Sequence, residues 1–384
     1  MKTSTERILT THVGSLPRPA LLVPMLIARD RGEPHDAAAL AQAVDQAVRA
    51  VVAQQVACNI DVASDGEMGK ISYVNYLKHR LTGFGDPAPL GWSPADMDAH
   101  PEYAASLREP DDAPREDPPA CRGPVGPGDR APLERDLAVF RDAVEAAQPV
   151  EAFMNAASPG VIAMFMPNMH YPSEAAYIEA LSRAMKEEYE AIHAAGFVLQ
   201  IDCPDLAMAR HMPFADKPLE DFRRAAALYV EALNEATRNI PPEAMRMHIC
   251  WGNYPGPHTH DVPIHEIADI VFAARPQAVL FEAANPRHAH EWEDLAALDI
   301  PGDKILVPGV IDTLSSTVEH PTLIAQHLCR FADIVGRERV MAGTDCGFAT
   351  LASMPRVWPS IAWEKLRALT EGAARASDRL WGNH

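Results

Sequence analysis

The chain has no apolar run long enough to cross a bilayer, and its opening stretch, MKTSTERILTTHVGSLPRP, lacks the apolar core of a secretory leader. Both absences point to a cytoplasmic protein with no membrane partner. Positive charge is scarce. With 34 Lys and Arg against 53 Asp and Glu, the formal net charge is −19, which argues against a nucleic-acid-binding surface. One arginine could still bind an anionic small molecule. Dense cysteine spacing is missing too. The six cysteines, at 58, 121, 203, 250, 329 and 346, do not form the framework of a small secreted domain. They read as reduced thiols, some of them free to bind metal. No G-x-G-x-x-G follows the first apolar segment, which disfavours an open dinucleotide-binding sheet, and no repeat recurs at solenoid periods.

What is present is a core. Of 384 residues, 47% are hydrophobic, enough for one large α/β barrel or two ordinary domains. In the second half, FVLQIDC (197–203), AMRMHIC (244–250), AVLFEAA (278–284), KILVPGVID (304–312) and RVMAGTDC (339–346) read as strands buried on both faces. Helical segments alternate with them, at 173–195 behind a Ser173 N-cap, at 218–238, at 263–275 and at 321–336. Adding RILTTHV (7–13), NIDVASD (59–65) and a strand within 151–166 gives eight strands, which predicts a single (β/α)₈ barrel over residues 1–384. Residues 84–135, rich in Pro, Asp, Gly and Arg, interrupt it as a surface excursion, a lid or a contact in a homo-oligomer; CRGPVG within them reads as a buried return strand.

In such a barrel, chemistry collects where strands end. The predicted ends carry His12, Asp65 to Glu67, Asp202 with Cys203, His248 with Cys250, Glu282, Asp312, and Asp345 with Cys346. On a strand, residues i and i+2 share a face, so His248 and Cys250 can both point to the barrel axis. An isolated His-x-Cys is more often core packing than a ligand pair. With Glu282 and Cys346 at matching ends, the set offers one nitrogen, two sulfurs and a carboxylate, a mixture that suits Zn²⁺ better than Mg²⁺ or Ca²⁺.

TTHVGSLPRP, SDGEMGK, LQIDCPDL, HIC, FEAANPR, VPGVID and GTDCGF occur in an order that resembles the catalytic barrel of the cobalamin-independent methionine synthases. The resemblance implies zinc on His248, Cys250, Glu282 and Cys346, with a substrate thiol activated as thiolate and alkylated by a second substrate. It implies that Ser15, Glu67 and Asp202 grip the thiol substrate; His12, Arg18 and Asn253 join them as binding candidates. Asp312, His170 and Tyr254 are the candidate proton donors. Two departures are visible. VIDTLSS keeps Asp312 but has Leu314 where the family carries a histidine, and AMFMPNMHY (163–171) replaces a tryptophan-serine pair. Both argue against methyltetrahydrofolate as the donor. TTHVGSLPRP and WGNYPGPH also resemble epoxyalkane:coenzyme M transferase, so epoxide opening or carbon–sulfur lyase chemistry stands as the alternative. A zinc-binding protein without catalysis, and a uroporphyrinogen decarboxylase-like activity, are further readings.

Overall fold

The computed structural model of the chain describes residues 1–107, 118–354 and 356–382. Among these, the strands in chain order are β1 (Leu9–Thr10), β2 (Val62–Ala63), β3 (Leu81–Pro87), β4 (Pro119–Pro127), β5 (Glu151–Ala157), β6 (Val198–Asp202), β7 (Met245–His248), β8 (Ala278–Phe281), β9 (Ile305–Pro308) and β10 (Met341–Ala342). One parallel sheet runs β2-β5-β6-β7-β8-β9. Parallel bridges Leu306↔Val340 and Gly309↔Gly343 carry it on to β10. The β10 strand pairs with β1, and the Asp61 N–H donates to the Thr10 carbonyl at 3.2 Å, which returns the ring to β2. The fold is the expected α/β barrel.

The hydrogen-bonded strands are shorter than the apolar segments that predict them. KILVPGVID is strand only over Ile305–Pro308, yet Val310 and Ile311 beyond it are 2% and 0% exposed. Burial outlasts the ladder because the first loop residues still roof the barrel. Side chains alternate along each strand. Val62, Phe153, Val198, Leu280, Val307 and Met341 fill the barrel interior, while Met245, Met247, Val279 and Leu306 face the helices. Arg246 points inward, fully buried. It donates to Gln200 Oε1 (2.7 Å), Thr11 Oγ1 (2.9 Å) and the His12 carbonyl (2.7 Å), and lies 3.5 Å over the Phe153 ring. Burial lowers its pKa to about 9, against the raising effect of Glu151 and Asp202.

Ser173 caps the helix Glu174–Ala194, its Oγ accepting from the Ala176 N–H at 3.2 Å. The expected helices at 218–238 and 321–336 run Leu219–Ala236 and Pro321–Val335. The stretch read as one helix over 263–275 is instead a 3₁₀ turn, Ile264–Glu266, and a short helix, Ala268–Phe272. Ile267, at φ −125°, separates them. Long helices at Ala37–Ala57 and Pro359–Trp381, absent from the sequence reading, complete the outer layer. No described helix is long and apolar enough to cross a membrane.

The stretch 84–135 includes most of an antiparallel β3–β4 hairpin and two short helices, Ala95–Ala99 and Pro101–Ser106. Its last residues already belong to the helix Ala131–Ala147, and its portion 108–117 lies outside the described residues. The CRGPVG strand forms, but only Ala120 and Cys121 in it are buried. The excursion is fastened to the loop after β7. Asp96 accepts from the Thr259 N–H (3.0 Å) and Oγ1 (2.9 Å), and Tyr103 donates to the Pro255 carbonyl at 2.5 Å.

Strands β9 and β10 approach closely beyond their ladder. A Cβ on Gly309 would lie 2.3 Å from Asp345 Oδ1 and 2.5 Å from Asp345 Cα. Gly309→Ala should therefore destabilise the chain by roughly 1–3 kcal/mol, as overpacking against backbone does. Urea denaturation measures this, and an unchanged midpoint would contradict the close approach.

Candidate active site

His248 ends β7 on the inward face that Arg246 also uses. Its Nε2 lies 3.1 Å from the Asp345 carbonyl, an acceptor only, so Nε2 carries the proton and Nδ1 keeps its lone pair. Burial lowers the pKa of this imidazole and keeps the ring neutral. Two residues on, Cys250 Sγ is 3.7 Å from Cys346 Sγ. His248, Cys250 and Cys346 are all buried and each places one donor atom within 4.8 Å of the others. The Cys250 thiol is pushed well above its ordinary range, first by its hydrogen bond with Cys346 and then by burial. A divalent cation would reverse that preference, because thiolate is the metal-binding form.

Cys346 is positioned by its neighbour. The Asp345 carboxylate accepts from the N–H groups of Ala283 (2.8 Å), Ala284 (2.9 Å) and Asn285 (2.9 Å), and from Asn285 Nδ2 (2.8 Å). This stitches the loop after β10 to the loop after β8. Glu282, the fourth residue expected to bind metal, is not gathered into the group. Its Oε1 accepts from the Trp251 N–H at 3.0 Å, and its Oε2 accepts from Asn285 Nδ2 at 2.7 Å and pairs with Arg287. Burial alone would raise its pKa, but the Arg287 charge outweighs this and holds it as a carboxylate. Arg287, five residues away in FEAANPR, is the competitor that the motif did not reveal.

A second group of charges lies beside the first. Asp202, at the end of β6, has Oδ1 3.9 Å from His248 Nδ1 and accepts from Asn155 Nδ2 (3.0 Å) and Gln200 Nε2 (2.8 Å). Burial raises its pKa. Glu67, in the loop after β2, is held in the left-handed region at φ 57°. Burial pushes its carboxyl up to about 7; Lys70 opposes this and Asp202 adds to it. Arg18 donates to the Ala349 carbonyl at 2.7 Å, and its Nη2 stands 3.9 Å from Glu67 Oε2. Arg18 Nε, Arg18 Nη2 and Glu67 Oε2 are buried without a hydrogen-bond partner. Buried charged atoms left unpaired mark a place where a polar ligand would be stabilising.

Ser15 and Asn253 converge on the residue after Cys346. A Cβ on Gly347 would lie 1.9 Å from Ser15 Oγ, and Asn253 Nδ2 donates to the Gly347 carbonyl at 2.8 Å. His12 is already fully engaged. Its Nε2 is 2.7 Å from Gln55 Oε1, its Nδ1 accepts from the Gly14 N–H at 3.1 Å, and burial lowers its pKa to about 4. It fixes the turn that carries Ser15. Among the expected proton donors, Asp312 is half-buried and accepts from the Leu314 N–H at 2.8 Å. His170 is exposed, edge-on to Tyr171. The Tyr254 hydroxyl faces Asp96 and His211, at 3.4 Å each. One residue escaped the sequence reading altogether. The Tyr73 hydroxyl is driven well above its usual range by burial and then by the charges of Cys250, Cys346 and Asp202. Its ring meets Phe165 edge-on, and Phe165 meets Trp92.

A closed parallel barrel with sulfur, imidazole and carboxyl groups at the carboxyl ends of its strands has the layout of a barrel enzyme. No family model matches the chain. The chain is similar to the methionine synthase of Saccharolobus solfataricus, 24% identical over 376 residues that span 97% of this chain and 95% of that protein. Its likeness to the methionine synthase of Thermococcus kodakarensis is 25% over 366 residues, 94% and 91% of the two chains. Among solved structures, a B12-independent methionine synthase from Shewanella sp. W3-18-1 superposes with a TM-score of 0.74 at 19% identity, covering 98% of this chain and all of that one (100%). The corresponding Listeria monocytogenes structure gives 0.66 at 19% identity, with coverage of 98% and 100%. The resemblance to the cobalamin-independent methionine synthases, read from the motifs, is borne out along nearly the whole chain.

Behind the site, Asp205 accepts from the Ser158 hydroxyl at 2.6 Å and lies where a Cβ on Gly160 would be 2.1 Å from its Oδ2. Burial pushes its carboxyl from 3.8 to about 7, so the folded chain holds a proton that the unfolded chain has lost. This contribution is present at low pH and is lost as pH rises from about 4 through about 7. Asp205→Asn should therefore gain on the wild type between pH 5 and pH 8, by an amount on the order of a few kcal/mol. Parallel pH profiles of the urea midpoints would refute this.

Proposed function

We propose that the chain is a zinc-dependent transferase that alkylates a small-molecule thiol, with a methyl group as the first candidate. The observation that carries this reading is the buried Cys250–Cys346 pair, 3.7 Å apart, with His248 in the same group. Sulfur and imidazole donors fit Zn²⁺, and a three-residue set is the arrangement of catalytic rather than structural zinc. Zn²⁺ bound there supplies the Lewis acidity that holds a substrate thiol as thiolate at neutral pH.

The protein's own residues supply the rest. Glu67 and Asp202 are buried, neighbouring carboxyl groups, and an ammonium between them would relieve their mutual repulsion. Arg18, with two nitrogens lacking a hydrogen bond and only 3.9 Å from Glu67, suits an anionic group next to that ammonium, such as a carboxylate. Ser15 and Asn253 fix Gly347, and through it the Cys346 side of the pocket. The named activity of the relatives, methionine synthase, supports an amino-acid thiol and methyl transfer. Opening of an epoxide, or the reverse carbon–sulfur cleavage, is the second reading. It is favoured by one observation: the Asp312 carboxylate accepts from the N–H of Leu314, a residue that cannot protonate a departing nitrogen.

Cys250→Ser and Cys346→Ser should each remove one equivalent of zinc from the purified protein, while Cys58→Ser keeps it. Elemental analysis reads this directly, and full retention in the first two variants would overturn the assignment. With methyltetrahydrofolate and homocysteine, the zinc-loaded protein should turn over slowly. General-acid help is typically worth ~10²–10⁴ in rate, and Leu314 occupies the position expected to give it. Turnover of roughly 1 s⁻¹ or faster would restore the plain methionine synthase reading.

A further inference from the structure

Outside the sulfur pair, the described residues hold one other group of side chains able to share an ion: His211, His258 and Asp261. His211 ends the 3₁₀ turn Met208–His211 after β6; the other two lie on the loop after β7. His258 Nε2 is 3.1 Å from the Tyr254 carbonyl. A carbonyl only accepts, so in a neutral ring Nε2 carries the proton and Nδ1 presents a lone pair. That lone pair faces both Asp261 oxygens, each at 3.1 Å. Two acceptors this close repel unless a proton or a metal ion lies between them. His211 faces the same carboxylate. Its side chain is 0% exposed and its Nδ1 is 3.1 Å from Asp261 Oδ1, yet off the direction a hydrogen bond requires, so this nitrogen has no partner.

These separations are close to the edge of a ligand tetrahedron. Bonds of ~2.0–2.1 Å to nitrogen and oxygen put neighbouring ligand atoms roughly 3.3 Å apart. Asp261 already has one cationic neighbour: burial lowers the His288 pKa, but its hydrogen bonds with Asp261 and Glu291 outweigh this and raise it to about 9. His288 Nε2 lies 3.0 Å from Asp261 Oδ2 and its Nδ1 lies 2.9 Å from Glu291. Arg287, 3.8 Å from Asp261, pairs with Glu282, and His260 pairs with Asp96 at 2.8 Å. A cavity of about 340 Å³, lined by Arg210, His211, Thr259, His260, Asp261 and Glu266, opens onto the group and leaves room for water or a small ligand.

We propose that His211, His258 and Asp261 form a second metal site, free of sulfur, that takes a divalent first-row ion such as Zn²⁺ or Co²⁺. Two imidazoles and one carboxylate with a vacant position are a recurrent transition-metal set. The site adjoins Tyr254, whose hydroxyl is 3.4 Å from His211 Nε2, so the ion would set the polarity of the loop that borders the sulfur pair. This inference does not depend on the thiol chemistry.

The test is titration of the metal-stripped full chain with Co²⁺, followed by elemental analysis and visible absorption. The wild type should bind two equivalents. The Cys250→Ser, Cys346→Ser double variant should keep one, with ligand-field bands but no sulfur-to-cobalt charge transfer. His258→Gln should lose that one and retain the sulfur-bound equivalent, which also reports that the variant is folded. If the double variant kept both equivalents and His258→Gln lost one, the second site would stand and the sulfur-site reading would fall. A single wild-type equivalent that vanishes with the cysteines would overturn the inference, because protons alone would then hold the cluster. So would a second equivalent that survives His258→Gln.

Discussion

The Asp345 carboxylate lies where two loops of the barrel mouth would otherwise part. Three consecutive backbone N–H groups, at 283, 284 and 285, and the Asn285 amide all donate to it. Burial raises the Asp345 pKa to about 7 and Glu282 adds to the rise, while these donors oppose both by favouring the carboxylate. This one residue therefore fixes where Glu282 and Cys346 stand relative to each other. Its backbone carbonyl, facing His248 Nε2, also sets the tautomer of the imidazole on β7. Gly309 must lack a side chain for Asp345 to come this close. The sulfur pair, the histidine and the carboxylate beside them all depend on that contact.

Much of this was legible in the sequence, for a physical reason. The barrel strands are buried on both faces, so each appears as an apolar run broken by loop residues, and the polar residue that ends the run stands at the mouth. That logic located His248, Cys250, Cys346, Glu67 and Asp202. It did not reveal Arg287 holding Glu282, because a motif gives the order of residues but not which neighbour competes for a carboxylate. Tyr73 and Asp96 were invisible for a related reason. Both matter through contacts with residues far away in sequence, and neither sits in a periodic pattern. His12, read as a binding residue, is engaged on both nitrogens, since a strand-end histidine can serve the turn that follows it. The broken helix at 264–272 was overread because its apolar spacing persists through a residue whose backbone leaves the helical region.

Charge is concentrated in the mouth to an unusual degree for a buried place. Burial raises Glu67 and Asp202, while pairing lowers Glu282 and Asp261. Carboxyl groups of one kind are thus driven in opposite directions within a few loops, which is how a single pocket can hold both proton-bearing and ionised acids at one pH. The cost falls on Arg18 and Glu67, which keep buried atoms without a hydrogen bond.

The barrel closes through a ladder of two residue pairs, as short as the one between β2 and β5. Only Leu9↔Met341 and Thr10↔Ala342 join β1 to β10, with the Thr11 N–H to the Ala342 carbonyl at 2.8 Å just beyond. Ser15 follows one side of this seam and Cys346 the other. Fluctuations that open a protein below its global unfolding energy begin where few contacts must break. The amide of Thr11 should accordingly exchange with solvent before those of β6 at the centre of the sheet. Each such opening would draw Ser15 away from Gly347, so the order of the pocket is tied to this short seam.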